Sequence, residues 1–186
     1  MAGRAPKSRR PRAVRRSHRF AIVAARFNER ITQRLVDGAR AAFGAAGLGV
    51  DRVEVHWVPG SFELPQAAAL LAATRRYAGI VCVGVVIRGQ TPHFEHVARE
   101  AAAGIREVAL ATGVPATFGV VTAFSEEQAW ERAGGAVGNR GGEAAEAALA
   151  MAEWIEDVRR HGAGRSPAHR VEAPRAEPRR RARGPR

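Results

Sequence analysis

Hydrophobic and polar positions between residues 20 and 158 alternate between short apolar runs and longer periodic stretches. "FAIVAA" (20–25) is an unbroken run rich in strand formers. "RVEVHWV" (52–58) alternates, with Val53, Val55 and Trp57 on one side, as a half-buried strand does. "GIVCVGVVI" (79–87) is β-branched and apolar on both faces, which predicts a central parallel strand. "ATFGVVT" (116–122) predicts a fourth strand. Between them, "ITQRLVDGARAAFGAAG" (31–47) places Ile31, Leu35, Ala39 and Ala42–Phe43 at helical spacing and ends on glycine. "LPQAAALLAATRRY" (64–77) predicts a helix with Pro65 in its first turn, and residues 93–111 an Ala-rich one. Two more helices, over 125–133 and 142–158, are parted by "GGAVGNRGG".

The order β-α-β-α-β-α-β-α-α predicts an α/β fold. The expectation is a flavodoxin-like three-layer sandwich, a four-stranded parallel sheet with helices on both faces. In such a sheet every strand-to-helix loop leaves at the carboxyl edge, where open α/β proteins bind ligands. The four loops are "RFNER" (26–30), "PGSFE" (59–63), "RGQTPH" (88–93) and "AFSEEQ" (123–128). They bring Phe27, Asn28, Ser61, Phe62, Glu63, Arg88, Gln90, Thr91 and His93 to one rim.

Several of these residues carry candidate chemistry. His93 opens a helix after a Gly/Thr/Pro loop; it is either a general acid/base or an idle surface histidine, and position alone does not separate the two. His96 lies one turn further, but no third ligand has recognisable spacing, so the pair is not read as a metal site and none is expected. Gly89-Gln90-Thr91 offers backbone N–H groups and a hydroxyl at a helix start, an arrangement suited to phosphate. Phe27 and Phe62 either pack under their loops or stack on a flat ligand. By spacing alone, Arg132 is a solvated cation at a helix end.

Charge changes the picture less than its total suggests. The chain has 186 residues and a formal charge of +12. Residues 20–158 hold twelve Arg against sixteen Asp/Glu, so the basicity sits at the two ends. Residues 1–19 and 159–186 are rich in Arg and Pro and poor in large apolar side chains, and are expected to be solvated, disordered tails flanking one domain (20–158). A sharper alternative is attraction to nucleic acid or acidic surfaces, although no aromatic interleaves the arginines. No apolar stretch follows the basic N-terminus as a secretory signal requires, while composition leaves a transit peptide open. No run approaches the ~18 apolar residues of a membrane span. Cys82, the only cysteine, sits in an apolar run and is read as a small buried hydrophobe. Lys7 is the only lysine and lies in the N-terminal tail, so the core has no lysine for a Schiff base.

"RFNERITQRLVDGA", "VPGSFELP", "GVVIRGQTPHFEHVA", "FGVVTAFSEEQAWERAGG" and "GNRGGEAAEAAL" resemble, in order and spacing, the successive motifs of the lumazine synthase family. The resemblance runs from about Phe20 to Trp154. It implies a cytoplasmic transferase of riboflavin biosynthesis, without a cofactor. The reaction implied is condensation of 5-amino-6-(D-ribitylamino)uracil with 3,4-dihydroxy-2-butanone 4-phosphate, releasing phosphate and water. It implies that Phe27 stacks on the pyrimidine and that Ser61, Phe62 and Glu63 hold the ribityl chain and nearby ring. Val85, Val86 and Ile87 then present backbone to the uracil edge, and Phe118 comes from a neighbouring subunit. Gln90 and Thr91 line the butanone-phosphate pocket, Arg132 pairs with the phosphate, and His93 moves protons. It further implies a homopentamer with shared active sites, and the short "GGAVGNRGG" connection favours a shell of twelve pentamers. Two positions depart from the family pattern: Arg140 stands where lysine is usual, and His96 where tyrosine is common. Three other readings stand beside this one: a shell-forming or ligand-binding relative without turnover, a nucleic-acid-binding protein, and a flavin carrier of the same architecture.

Overall fold

The computed structural model describes residues 18–161. The expectation of disordered basic ends, with its nucleic-acid alternative, covers residues 1–19 and 159–186; of these, 1–17 and 162–186 lie outside the described residues, whereas Arg19 O accepts from Ala78 N–H and residues 159–161 are helical.

Four strands, β1 (Phe20–Ala25), β2 (Val53–Val58), β3 (Gly79–Ile87) and β4 (Ala116–Ala123), form one all-parallel sheet in the order β2-β1-β3-β4. The apolar runs β1 and β3 take the two central places, where both faces are covered: all of β1 and eight of nine residues of β3 are buried. The alternating strand β2 takes an edge. Helices α1 (Glu29–Ala45) and α5 (Arg140–His161) cover one face, with a core built on Phe20, Ile22, Leu35, Phe43, Val83 and Leu149. Helices α2 (Leu64–Ala73) and α3 (His93–Thr112) cover the other, over Val23, Leu64, Ile80 and Ile105. The flavodoxin-like three-layer sandwich expected from the pattern is thus the fold observed. Cys82 is fully buried, and burial pushes its thiol up to about 12, so it stays neutral and inert as read from its neighbours.

Element ends differ from the sequence reading by one to four residues, and three differences have a visible cause or consequence. α2 stops at Ala73 rather than continuing to Tyr77. Arg75 turns the chain in a left-handed conformation (φ 56°), and the buried Tyr77 donates its hydroxyl to Glu54 Oε2 at 2.6 Å. α5 starts at Arg140, ahead of its two glycines, because Asn139 Oδ1 accepts the N–H of Gly142 at 3.0 Å as an N-cap. Gly141 is required there: a Cβ on it would lie 2.0 Å from the Leu35 carbonyl of α1. The connection between α4 (Glu126–Glu131) and α5 also contains a small antiparallel hairpin, β5 (Ala133–Gly135) with β6 (Gly138–Asn139). Strands this short and glycine-rich carry no alternation to read.

Candidate active site

Strand order creates the crevice. From β1 the chain moves to one side of the sheet through α1, and from β3 to the other through α3, so the loops after β1 and β3 diverge at the carboxyl edge. β1 pairs with β3 only as far as Ala24 opposite Val83. Beyond that β1 stays with β2, since Arg26 N–H donates to Val58 O (2.8 Å) and Phe27 N–H to Pro59 O (3.1 Å). The last residues of β3 are therefore left without a strand partner on the β1 side.

Which peptide groups face that gap follows from strand alternation. Ile80 and Arg88 donate their N–H groups toward β4, to Pro115 O and Ala123 O. The even-numbered residues of β3, Val86 among them, thus spend their backbone on β4. Val85 and Ile87 face the gap, and the Val85 carbonyl there accepts from Asn28 Nδ2 at 3.1 Å. Val86 contributes its side chain, which belongs to the α2/α3 side of the core.

A cavity of about 450 Å³ opens at this point, within the range of small-molecule sites. Phe27 forms one wall, and the turn Gly60–Glu63 a second. The end of β3 (Val85–Ile87) forms the floor, and Gly89, Thr91, His93, Phe94 and Val97 the third wall. Phe27 and Phe62 are 72% and 60% exposed. Packing beneath the loops is thereby ruled out for both, and they stand as open apolar faces beside the cavity. Ser61 is buried against β3, and only a glycine at residue 84 permits this: a Cβ there would come within 2.5 Å of Ser61 Oγ. A Cβ on Gly60 would lie 3.0 Å from Glu63 Oε2, a contact that a small shift of the carboxylate would relieve. His93 is the first residue of α3 and exposed, and its ring makes no hydrogen bond to a described residue, so both ring nitrogens are open to a ligand.

Nine of the sequence-predicted site residues line this one cavity: Phe27, Ser61, Phe62, Glu63, Val85, Val86, Ile87, Thr91 and His93. Three do not. Gln90 is exposed in the loop beside the cavity. Phe118 lies in mid-β4 opposite Cys82, five residues short of the Ala123 that pairs with Ile87, or about 16 Å from the rim. Arg132 caps the end of α4, where Nη1 donates to Gln128 O at 2.9 Å. Among the described residues, the cavity walls of a single chain therefore hold one carboxylate, Glu63, and one histidine, but no arginine or lysine. Arg140 is occupied by an ion pair with Glu143.

Phe94 and Val97 were not singled out from the sequence because an apolar pair three apart on a helix looks like core. Gly84 was not singled out either, although a lone glycine inside a β-branched strand is a usual mark of a close approach.

A parallel α/β sheet whose switch-point crevice is walled by two exposed aromatic rings, a carboxylate and a histidine defines a small-molecule-binding protein of the doubly wound class. The family model of 6,7-dimethyl-8-ribityllumazine synthase matches residues 17–156. The chain belongs to that family, and with it to the transferases of riboflavin biosynthesis.

Proposed function

We propose that the chain condenses 5-amino-6-(D-ribitylamino)uracil with 3,4-dihydroxy-2-butanone 4-phosphate to give 6,7-dimethyl-8-ribityllumazine, releasing phosphate and water. The observation that carries this reading is the convergence of Phe27, Glu63, Thr91 and His93 on one cavity. An exposed ring suits a flat pyrimidine, and the carboxylate at Glu63 suits the hydroxyls of a ribityl chain. Val85 and Ile87 turn peptide groups toward the uracil edge, while Gly89, Gln90 and Thr91 lie at the start of α3 and suit a phosphate ester.

The substrate's own aromatic amine is the nucleophile, which agrees with a core that has no lysine. It attacks the ketone carbonyl, and loss of water gives an imine. Phosphate then leaves as its C–O bond breaks, and the second amine closes the ring with loss of water. Each stage moves a proton, and His93 is the group at the cavity placed to carry it. The remaining contribution is proximity of two bound reactants.

Arg132 and Phe118 lie away from the cavity of their own chain. Under this reading they serve the cavity of an adjacent copy, in a homopentamer or a shell of twelve pentamers; light scattering distinguishes the two by mass. The assay for function is direct: purified protein, both substrates, and lumazine fluorescence. Appearance of product supports the reading, and its absence with folded protein refutes it. His93→Ala should lower kcat about 10²–10⁴-fold while substrate binding survives; unchanged turnover would remove His93 from the mechanism.

A further inference from the structure

The first loop holds a residue whose backbone and side chain are both committed to placing its neighbour. Asn28 is left-handed, at φ 59° and ψ 40°, a conformation that asparagine tolerates better than most residues. It precedes α1, yet its side chain makes no capping bond; Ile31 and Thr32 donate their N–H groups to its backbone carbonyl, both at 3.0 Å. The amide is spent across the crevice instead, where Nδ2 donates to Val85 O at 3.1 Å. Phe27 sits immediately before it. The Phe27 N–H is held by Pro59 O, and its carbonyl accepts from the buried Thr32 hydroxyl at 3.5 Å, while its ring stays open beside the cavity.

We propose that Asn28 is a positioning residue for the stacking platform. Its left-handed turn and its amide bridge to Val85 together set where the Phe27 ring stands over the cavity, and so set affinity for the flat heterocycle. The inference rests on the reading of the cavity as the ribitylaminouracil site. The bridge ties the loop after β1 to the end of β3 at the one place where the two strands have parted. Without it, the ring hangs on a turn fixed only to β2 and α1. A stacked ring contacts the pyrimidine alike before and during reaction, so its displacement weakens uniform binding and is read in KM rather than kcat.

Two variants test this, because both accept the left-handed backbone. Asn28→Gly removes the amide; Asn28→Asp keeps the shape but points a carboxylate at the Val85 carbonyl. The KM for the ribitylaminouracil should rise about 3- to 10-fold in Asn28→Gly, the loss of one hydrogen bond, and further in Asn28→Asp. The kcat should stay within about twofold, and the KM for the butanone phosphate should not move. Amide hydrogen exchange over residues 26–30 should quicken in both variants. Wild-type KM values in both variants of an active enzyme overturn the proposal. If the wild type itself makes no lumazine, the reading of function fails instead; the positioning role is then judged by exchange alone, and wild-type exchange in both variants overturns it.

Discussion

Gly84→Ala adds one methyl where the end of β3 meets the second loop. The new methyl would lie 2.5 Å from Ser61 Oγ, with Ala25 Cβ at 3.2 Å and Leu64 Cδ1 at 3.5 Å closing the other directions. Relief needs a shift of roughly 1 Å to reach an ordinary contact distance. Ser61 cannot swing away alone, because it is buried and belongs to a one-turn 3₁₀ helix running straight into α2. Overpacking of this kind costs about 1–3 kcal/mol, which for a domain of this size lowers Tm by about 2–12 °C. Gly44→Ala is the matched control. It lies in α1, and a Cβ there meets nothing within 4 Å, so it should stabilise by about 0.5–1 kcal/mol and raise Tm by a few degrees. Scanning calorimetry at one protein concentration should therefore give shifts of opposite sign. Gly84→Ala should also raise the KM for the ribitylaminouracil, since Phe62 and Glu63 move with Ser61. Equal melting temperatures for the two variants would refute the claim that β3 and the second loop meet without slack.

Three further outcomes follow from other parts of the molecule. Arg132→Ala should raise the KM for the butanone phosphate about 10- to 100-fold, the loss of a charge-assisted contact, with the uracil KM unchanged; a shift in the uracil KM alone would contradict the phosphate role. Tyr77→Phe should cost about 1–2 kcal/mol at neutral pH by chemical denaturation. The Tyr77 hydroxyl is the main cause holding Glu54 below its ordinary 4.5, with Arg76 and Arg19 adding and burial opposing. A depressed carboxyl stabilises above its unfolded value and loses that contribution as pH falls through the folded one, so the gap to wild type should narrow below about pH 4; an equal gap at pH 3 and 7 would count against it. Burial, followed by repulsion from Asp157 and Glu156, raises Glu153, and His18 opposes the rise. Glu153→Gln should therefore stabilise by about 0.4–1 kcal/mol at neutral pH, and the gain should fade as the wild-type carboxyl protonates in acid; no gain at pH 7 would refute it.

Much of the site was legible because loops at a parallel sheet's carboxyl edge collect what strands and helices exclude. Phe27, Phe62 and Glu63 drew attention as aromatic and acidic residues in strand-to-helix loops, and all three line the cavity. The local rules misled where a side chain answers to a distant part of the chain. Asn28 stands in the first loop just before α1, yet its amide bonds β3, fifty-seven residues on. Two glycines looked like a gap before the last helix, yet Gly141 is helical because α1 and α5 touch there. Tyr77 looked like the end of a helix, yet it leaves the helix to reach Glu54.

The sequence by itself determined the alternation of strands and helices, the burial of β1 and β3, and the edge at which functional side chains gather. Those follow from periodicity and β-branching, which act within a few residues. Tertiary structure alone decided that β1 and β3 part after Val83, that the peptide groups of Val85 and Ile87 rather than that of Val86 face the gap between them, and that Arg132 and Phe118 stand outside their own chain's cavity. The physical reason is that strand order and side-to-side pairing depend on contacts between residues far apart in the chain, and spacing carries no record of these.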